Sequence, residues 1–383
     1  MITQRLGDHV SFLSGFAFKS SHFNDSGNGM PVIRIRDVTR GYSETYYSGE
    51  YSDRYIIDDG DYLIGMDGEF NLARWTAGKA LLNQRVCKID EVSEDVDRSY
   101  LARFLPIALK KIEDSTPFVT VKHLSVKKLN EIQVPLPPLG EQKRIAKILD
   151  AADALRAKRR ESRTQLDALL QSTFVDLFGD PVRNPKGWDE LPLEEIVSDS
   201  KIGLVRSSKE FDWGCTIPYV RMDAVSKDGR FLANKVQFTE ASQKEIEASS
   251  LMPGDFLFNT RNSKELVGKS CIYTGPEGWL FNNNLMRIRF IDSVCPEVVA
   301  TQFLFSRVSR ELEQRKSGTT NVFAVYWKNL KSLPVLVPPK ELQVQYAAIV
   351  RSVNKQSTQL NQHLDELDRL FSSLKKRAFS GEL

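Results

Sequence analysis

The sequence has few of the residues from which catalytic and metal sites are usually built. Its 383 residues include four cysteines and four histidines, scattered without the close spacing of metal ligands. The string Gly268-Lys269-Ser270 is similar to the end of a phosphate-binding loop, but Ser263 stands where such a loop requires its first glycine. The GxSxG, HExxH and GxGxxG motifs and an Asn-Pro-Pro-aromatic tetrad are also missing. These absences favour a binding or scaffolding protein over an enzyme.

Long hydrophobic runs are absent as well. No stretch approaches the ~20 apolar residues of a membrane span, and the first residues lack a basic-then-apolar secretion signal. Cysteines without a CxxC pair are typical of a reducing compartment. We therefore expect a cytoplasmic protein with no membrane partner. The net charge of +3, with 27% charged residues, neither requires nor excludes a nucleic-acid partner.

Two stretches without internal proline are the strongest structural signal. The first follows Pro138 and ends at Gly179, and Ala, Leu, Glu, Gln, Lys and Arg dominate it. We predict a helix over residues 141–178, about 57 Å long at about 1.5 Å per residue. Prolines before it and a glycine cap after it set its bounds. The second stretch follows Pro339.

The two stretches share one register. Pro338 lies 201 residues after Pro137, and the same offset separates Gln343 from Gln142. In the second stretch, steps of three and four residues alternate and predict a coiled-coil seam. The seam residues are Tyr346, Val350, Val353, Ser357, Leu360, Leu364, Leu367, Phe371, Leu374 and Ala378.

The seam of the first stretch stays open. Its matching middle positions are Arg156, Arg159 and Arg163. Either the seam shifts to Leu155, Ser162 and Leu166, or it accommodates the arginine stems. The alternative to a helix pair is two long helices that pack only on their own domains, but the shared offset favours a pair.

The segments before the helices also repeat. Residues 218–221 (PYVR) stand 187 positions after residues 31–34 (PVIR), and residues 254–257 (GDFL) stand 194 positions after residues 60–63 (GDYL). The sequence thus predicts a tandem duplication of an α/β (α+β) globular unit followed by a long helix. The two helices would pair as an antiparallel coiled coil with pseudo-twofold symmetry. The predicted segments are residues 1–134, 135–181, 182–335 and 336–383.

Polar loops of the two units are candidates for a nucleic-acid interface. Alternation predicts a strand over residues 31–38, and residues 67–78 are expected to form a loop. Arginine can pair with guanine, Asn or Gln with adenine, and lysine with phosphate. The candidate DNA-binding residues are Arg34, Arg36, Arg74, Lys79, Gln84, Arg85, Arg221, Asn259, Arg261, Asn262, Lys264, Lys269, Asn284 and Thr319.

Any single candidate is also explained as a solvated surface residue. The two loop sets, however, follow equivalent Gly-Asp turns, at Gly60-Asp61 and Gly254-Asp255. That equivalence favours an interface for the group as a whole. Two heads at a fixed separation suit a linear polymer with a regular repeat, such as duplex DNA.

The chain resembles the specificity subunit of type I restriction–modification enzymes. The resemblance is most specific in PLPPLGEQKRIAKILDAAD (residues 135–153), and VLVPPKELQVQYAAIV (residues 335–350) is similar to the second conserved region. There Leu342 stands where family members usually have Glu. The segments PVIRIRDV, GDYLIGMDG and GDFLFNTRN are similar to parts of the two recognition domains, with GMDG (residues 65–68) only in the first.

The resemblance implies a function that spacing alone does not. Each globular unit would recognise one half of a bipartite, asymmetric DNA target, and the helices would set the gap between the halves. Two modification subunits with S-adenosylmethionine would methylate adenine, and two restriction subunits would use ATP and Mg²⁺. This chain would be non-catalytic and hold none of these cofactors. The residues expected to contact partner subunits are Glu141, Gln142, Arg144, Ile145, Gln343 and Tyr346.

Two other hypotheses remain at this point. The chain could be a coiled-coil adaptor whose two heads bind proteins and have no DNA specificity. A nuclease or methyltransferase in a single chain is the third, and the missing motifs argue against it.

Overall fold

A computed structural model describes residues 3–116, 122–211, 214–318 and 321–383. The chain divides into two compact units: unit 1 comprises Met1–Arg160 and Gln362–Leu383, and unit 2 comprises Glu161–Asn361. The first long helix is Leu139–Phe178 and the second is Lys340–Ser380. Each long helix therefore begins in one unit and ends in the other. The linear division at residues 134, 181 and 335 stays a prediction.

Three sheets form within the described residues of unit 1. In order of neighbours, the central sheet consists of Val10–Ser14, Val86–Val92, Tyr62–Gly65 and Leu72–Arg74. The second consists of Phe23–Asn24, Tyr46–Tyr47, Met30–Ile33, Ala80–Leu82 and Ile56–Ile57. The third pairs Thr3–Arg5 with Gln133–Pro135.

The described part of unit 2 contains four sheets. Its central sheet consists of Val197–Ile202, Leu285–Phe290, Phe256–Asn259 and Ser270–Ile272. The others consist of Gln237–Thr239, Ile217–Val220 and Leu280–Phe281; of Arg261–Asn262, Phe323–Ala324 and Ser317–Gly318; and of Asp189–Pro192 with Pro334–Val337.

The four-stranded central sheets of the two units share one strand order and the two-stranded sheets also correspond, which confirms the tandem duplication. In unit 1 Val86 pairs with Gly65, and in unit 2 Leu285 pairs with Asn259. The second sheet of each unit contains a pair of neighbouring parallel strands. The pair is Met30–Ile33 with Ala80–Leu82 in unit 1, and Ile217–Val220 with Leu280–Phe281 in unit 2.

Shorter helices cover the sheets in both units. Those of unit 1 are Ile35–Arg40, Arg98–Ser115 and Val126–Asn130, with 3-10 turns at Leu6–Asp8, Ser20–His22 and Asp53–Tyr55. Those of unit 2 are Leu193–Ile196, Gln243–Ser249, Pro296–Gln302, Ser306–Arg315 and Trp327–Leu330, with 3-10 turns at Ser208–Glu210, Met222–Ala224 and Ala233–Lys235. In the described residues, no helix has an apolar stretch long enough to cross a membrane.

The strand predicted over residues 31–38 is wrong beyond Ile33. A helix begins at Ile35, because the Asp37 carboxylate accepts a hydrogen bond from the Arg34 amide at 3.0 Å and caps the first turn. Ile35 and Val38 lie three residues apart and therefore share one helical face. The helix ends at Gly41, whose φ of 78° suits a C-cap.

The loop expected over residues 67–78 also contains regular structure. Leu72–Arg74 forms an edge strand of the central sheet, and Trp75 is buried behind it. The Trp75 indole donates a hydrogen bond to the carbonyl of Gly78. The strand has only three residues, Leu72–Arg74, and the polar residues around it concealed it.

The first long helix agrees with its predicted bounds. It begins at Leu139, immediately after the prolines, and Gly179 follows its last residue with a φ of 82°. The Gly179 amide donates to the carbonyl of Val175 at 2.8 Å, which closes the last turn. In the second long helix, all ten predicted seam positions are buried or half-buried.

The structure answers the open question of the first seam at Arg156. Leu155 is 53% exposed, so the seam does not shift to this residue. The Arg156 guanidinium instead lies 4.4 Å from the ring centroid of Phe371 and contacts the Asp368 carboxylate at 2.5 Å. Arg156 also donates to Asp153 at 2.8 Å. The arginine stem is thus accommodated by stacking and ion pairing.

Within unit 1 the two long helices run antiparallel. Arg144 of the first helix donates to the carbonyl of Leu383 at 2.8 Å. Arg156 lies later in the first helix, yet its partner Asp368 lies earlier in the second, so the two helices run in opposite directions. Arg103 of helix Arg98–Ser115 also donates to Asp153 at 2.7 Å. Burial disfavours ionisation of Asp153, but hydrogen bonds and charge from Arg103 and Arg156 outweigh burial and lower its pKa. This ion-pair network joins three helices of unit 1.

A buried glutamine fastens the start of each long helix to its own globular unit. The Gln142 side chain accepts from the Asp97 amide at 2.9 Å and donates to the carbonyls of Asp95 and Pro137 at 2.8 and 2.9 Å. Asp97 is the N-cap of helix Arg98–Ser115. The amide therefore joins two helices and the proline segment between the sheet and the long helix.

Gln343 repeats this arrangement in unit 2. Its side chain accepts from the Cys295 amide at 2.8 Å and donates to the carbonyl of Pro338 at 2.7 Å. Cys295 is likewise an N-cap, of helix Pro296–Gln302. Both glutamines are 1% exposed, so the register found in the sequence reflects a shared buried contact.

We expect Gln142→Ala to lower the free energy of unfolding by about 1–3 kcal/mol, because the buried Asp97 amide loses its acceptor. Urea unfolding followed by circular dichroism measures the change. Gln165→Ala is the matched control, since Gln165 is exposed on the same helix and bonds only Glu161 among described partners. Equal stability of the two variants would contradict the anchoring role of Gln142.

Candidate nucleic-acid interface

Three segments of unit 1 meet at one edge of the central sheet. The strand Tyr62–Gly65 ends at this edge, and the antiparallel strand Val86–Val92 begins there. Just beyond them the Met66 amide donates to the carbonyl of Arg85 at 2.9 Å. The Leu124 amide donates to the carbonyl of Met66 at 2.8 Å. These bonds bring residues 66–68, 83–85 and 122–124 together.

The side chains at this edge form a charged cluster. Asp67 lies 3.0 Å from the Arg85 guanidinium and 2.6 Å from Nδ1 of His123. Asp67 is 18% exposed, whereas Arg85 and His123 are 53% and 58% exposed. The shielded Asp67 carboxylate thus contacts two basic side chains, Arg85 and His123, that are exposed to solvent.

Sequence reasoning found only one member of this cluster. Arg85 was predicted, but Asp67 and His123 were not. Asp67 lies in the GMDG string, and that string was the available signal. His123 stands alone in the sequence, and only the backbone bridge between residues 67 and 123 reveals its neighbours.

Arg34, Arg36 and Gln84 lie near the same edge. Ile33 pairs with Leu82 in the parallel strand pair, so Arg34 follows its strand at the same end of the pair as residues 83–85. The Arg34 guanidinium lies 5.2 Å from the ring centroid of Phe23, and the exposed Arg36 lies 3.6 Å from Asp37. The Gln84 amide donates to the carbonyl of Phe16, which adds a fourth segment to this edge.

Arg74 and Lys79 do not join the cluster. Arg74 pairs with Tyr62, at the end of that strand opposite to Gly65, and its guanidinium faces Gly60. Lys79 is exposed just before the strand Ala80–Leu82. The structure therefore separates these two cations from Gln84 and Arg85.

Unit 2 has the same backbone arrangement with different side chains. The Thr260 amide donates to the carbonyl of Asn284 at 2.8 Å, and the Val325 amide donates to the carbonyl of Thr260 at 2.9 Å. Arg261 is exposed and pairs with Ala324 through its backbone. Arg221 follows the parallel strand pair, as Arg34 does in unit 1, and donates to Gln237 at 3.1 Å.

Asn262 and Lys264 continue this surface. The Asn262 side chain accepts a hydrogen bond from the Ser263 amide at 2.8 Å. Lys264 is exposed, lies 3.5 Å from Glu313 and is 5.9 Å from the ring centroid of Phe323. Thr319, also a predicted contact, lies outside the described residues.

Two candidates face inward and are corrected. The Lys269 ammonium donates to the carbonyls of Met222 and Val225 at 3.1 and 2.5 Å, and its burial lowers its pKa. It thereby stabilises the 3-10 turn Met222–Ala224 instead of facing a phosphate. Asn259 is 0% exposed at the end of its strand, so its side chain does not reach a ligand at the surface.

The predicted partner contacts divide by burial. Gln142 and Ile145 pack in unit 1, and Gln343 and Tyr346 pack in unit 2, so their side chains contact their own unit. Burial raises the pKa of Tyr346 to about 12, and its hydroxyl donates to Thr301 at 3.0 Å. Glu141 and Arg144 pair with each other at the surface at 2.7 Å. For these two, contact with a partner stays a prediction.

Comparisons with known proteins agree with this two-unit arrangement. A family model described as the type I restriction modification DNA specificity domain matches residues 2–166 and 185–369. The chain is 30% identical to the type I restriction enzyme EcoBI specificity subunit of Escherichia coli, over 98% of this chain and 84% of that protein. It is 27% identical to the EcoKI specificity subunit of Escherichia coli (strain K12), over 74% and 65% of the two chains.

A solved structure shows the same fold. The crystal structure of the S subunit of a type I restriction-modification system from M. genitalium matches with a TM-score of 0.63 at 13% identity, covering 98% of this chain and 95% of that one. The first specificity-domain match spans all the strands described in unit 1, and the second spans all those described in unit 2. The chain therefore belongs to the type I restriction modification DNA specificity family, as a specificity subunit with two specificity domains in tandem.

Proposed function

We propose that each unit recognises one half of a bipartite, asymmetric DNA sequence through the sheet edge described above. The observation that carries the proposal is the pair of equivalent edges, which share one backbone arrangement and carry different polar side chains. A shared scaffold positions both sets of loops, and different side chains at its edge would select different bases. The alternative, a protein-binding adaptor, gives no reason for exposed cations on both edges.

The chain acts within a larger assembly and is itself non-catalytic. Two modification subunits that bind S-adenosylmethionine methylate adenine in the target, and two restriction subunits use ATP and Mg²⁺ to cut DNA. The exposed Glu141–Arg144 pair at the start of the first long helix contacts a modification subunit. Methylation requires the target base to leave the stack, so the DNA is distorted in the complex. The assembly works in the cytoplasm.

Co-expression of this chain with its modification subunit, in a host without adenine methylation, tests the proposal directly. We expect sequencing of modified bases to give a bipartite motif with one fixed gap. The control is the modification subunit expressed alone, which should leave the motif unmethylated. Stable association of the two proteins without sequence-dependent methylation would contradict the proposal and favour an adaptor.

The long helices set the number of base pairs in the gap. Inserting seven residues beside Ser162 and seven beside His363, which stands 201 residues later, keeps the heptad register. The insertion lengthens each helix by about 10 Å, so we expect the gap to grow by about three base pairs at about 3.4 Å each. Both half-sites should be unchanged. The same heptads substituted without a change of length serve as the control, and an unaltered gap in the lengthened protein would refute this role.

Salt dependence separates DNA recognition from protein binding. Because cations release counterions from phosphates, we expect the log of the binding constant for a target duplex to fall with log salt at a slope of about −3 or steeper. Arg36→Ala and Arg261→Ala should each make the slope shallower, whereas Gln165→Ala should leave it unchanged. Fluorescence anisotropy of a labelled duplex measures this, and a slope near zero would support the adaptor.

A further inference from the structure

Three positions at the sheet edge are structurally equivalent in the two units. Asp67 pairs through the backbone with His123 of the third segment, and Arg261 pairs in the same way with Ala324. The backbone carbonyl of Arg85 accepts a hydrogen bond from the Met66 amide, and the carbonyl of Asn284 accepts the equivalent bond from the Thr260 amide. We name these the edge trios: Asp67, Arg85 and His123 in unit 1, and Arg261, Asn284 and Ala324 in unit 2.

The backbone of the trios is the same, whereas the chemistry of the side chains is not. The amide-to-carbonyl distances differ by only about 0.1 Å between the units, at 2.9 and 2.8 Å for the first bond and 2.8 and 2.9 Å for the second. In unit 1 the positions carry an acid, a guanidinium and an imidazole. In unit 2 they carry a guanidinium, an amide and a methyl group. The scaffold is therefore constant where the surface chemistry varies.

In unit 1 the acid fixes the guanidinium. Asp67 contacts Arg85 at 3.0 Å and is itself shielded, while Arg85 remains 53% exposed. Asp67 contacts one nitrogen of the guanidinium, so the other N–H groups of this planar side chain can donate elsewhere. Two such N–H groups side by side match the acceptors O6 and N7 of guanine. His123, on the other oxygen of Asp67 at 2.6 Å, keeps the carboxylate from rotating away from Arg85.

In unit 2 the equivalent of Arg85 is an amide. The Asn284 backbone amide donates to the Asn282 side chain at 2.7 Å, which fixes the turn, and its own side-chain nitrogen makes only a long contact to the sulfur of Met222 at 3.7 Å. The side chain is half-exposed. An asparagine amide matches N6 and N7 of adenine, and Arg261 lies beside it as the exposed cation.

We infer that the edge trios determine one base pair in each half-site: Arg85, positioned by Asp67, selects guanine for unit 1, and Asn284 selects adenine for unit 2. The inference rests on the proposed function and adds the residues and bases through which it acts. Arg85 and Asn284 contact the bases, whereas Asp67 is a positioning residue.

Exchanging the equivalent residues tests the inference. Arg85→Asn places in unit 1 the residue found at the same position of unit 2, and Asn284→Arg is the reciprocal change. Each variant is co-expressed with the modification subunit, and methylated motifs are mapped by sequencing. We expect Arg85→Asn to change one G·C pair to A·T in one half-site, with a preference shifted about tenfold or more. Asn284→Arg should change one A·T pair to G·C in the other half-site.

The matched control is Arg98→Asn. Arg98 is exposed, and its guanidinium donates to the carbonyl of Asp90 near the other end of the strand Val86–Val92. Asp90 lies five residues after Arg85, roughly 17 Å away at about 3.3 Å per residue. This variant should keep the wild-type motif in both halves. Circular dichroism of all three variants checks the fold, and Arg85 is a safe site because its side chain is exposed.

Asp67→Asn tests positioning separately from base contact. The substitution keeps the size of the side chain and removes its charge, so we expect weaker discrimination at the Arg85 base pair with little change at other positions. Asp67→Glu should restore part of the discrimination. A structural role alone would lower stability in both variants without altering the motif.

The outcomes are distinguishable. If wild-type protein gives a bipartite motif and both Arg85→Asn and Asn284→Arg keep that motif, the inference that the edge trios select a base pair is wrong. The proposed function then stands. If Arg85→Asn lowers methylation evenly without changing a base, Arg85 binds phosphate, which also overturns the inference. If wild-type protein directs no sequence-dependent methylation, the proposed function fails, and the inference fails with it.

Discussion

Two buried glutamines, Gln142 and Gln343, connect the long helices to their globular units. Each joins the first turn of a long helix to the N-cap of a shorter helix in the globular unit, by three hydrogen bonds away from water. An amide can donate and accept at once, so one side chain satisfies backbone groups on both sides of the joint. A hydrocarbon of the same size would fill the space and leave those groups unpaired. The direction in which each helix leaves its unit depends on this contact.

The sequence predicted the large elements well because their signals are long. Both helices, their proline and glycine bounds and the tandem duplication rest on patterns that continue over many residues. Short strands were harder: Leu72–Arg74 has three residues, and its pairing with Tyr62–Gly65 is not a local property. The helix at Ile35 was missed because a single acid, Asp37, outweighs an apparent two-residue alternation.

The candidate site shows a different limit. Residue type identified exposed cations such as Arg85 and Arg261, but it also selected Lys269 and Asn259, which face inward. A lysine in a polar loop has the same sequence signature whether it meets a phosphate or the carbonyls of a nearby turn. Asp67 and His123 were missed for the opposite reason, since tertiary backbone bonds alone bring residues 67, 85 and 123 together.

The two units differ in how the chain builds them. Unit 2 is one continuous segment, Glu161–Asn361, whereas unit 1 combines Met1–Arg160 with Gln362–Leu383. Phe371 and Ala378 of that late segment are buried in the same core cluster as Leu6 and Val10. During synthesis, residues 1–160 of unit 1 therefore lack their last core segment while about two hundred residues of unit 2 emerge from the ribosome. Synthesis proceeds at roughly 5–20 residues per second. Unit 2 can fold in that interval, whereas unit 1 keeps apolar surface exposed until residues 362–383 have emerged and packed into its core.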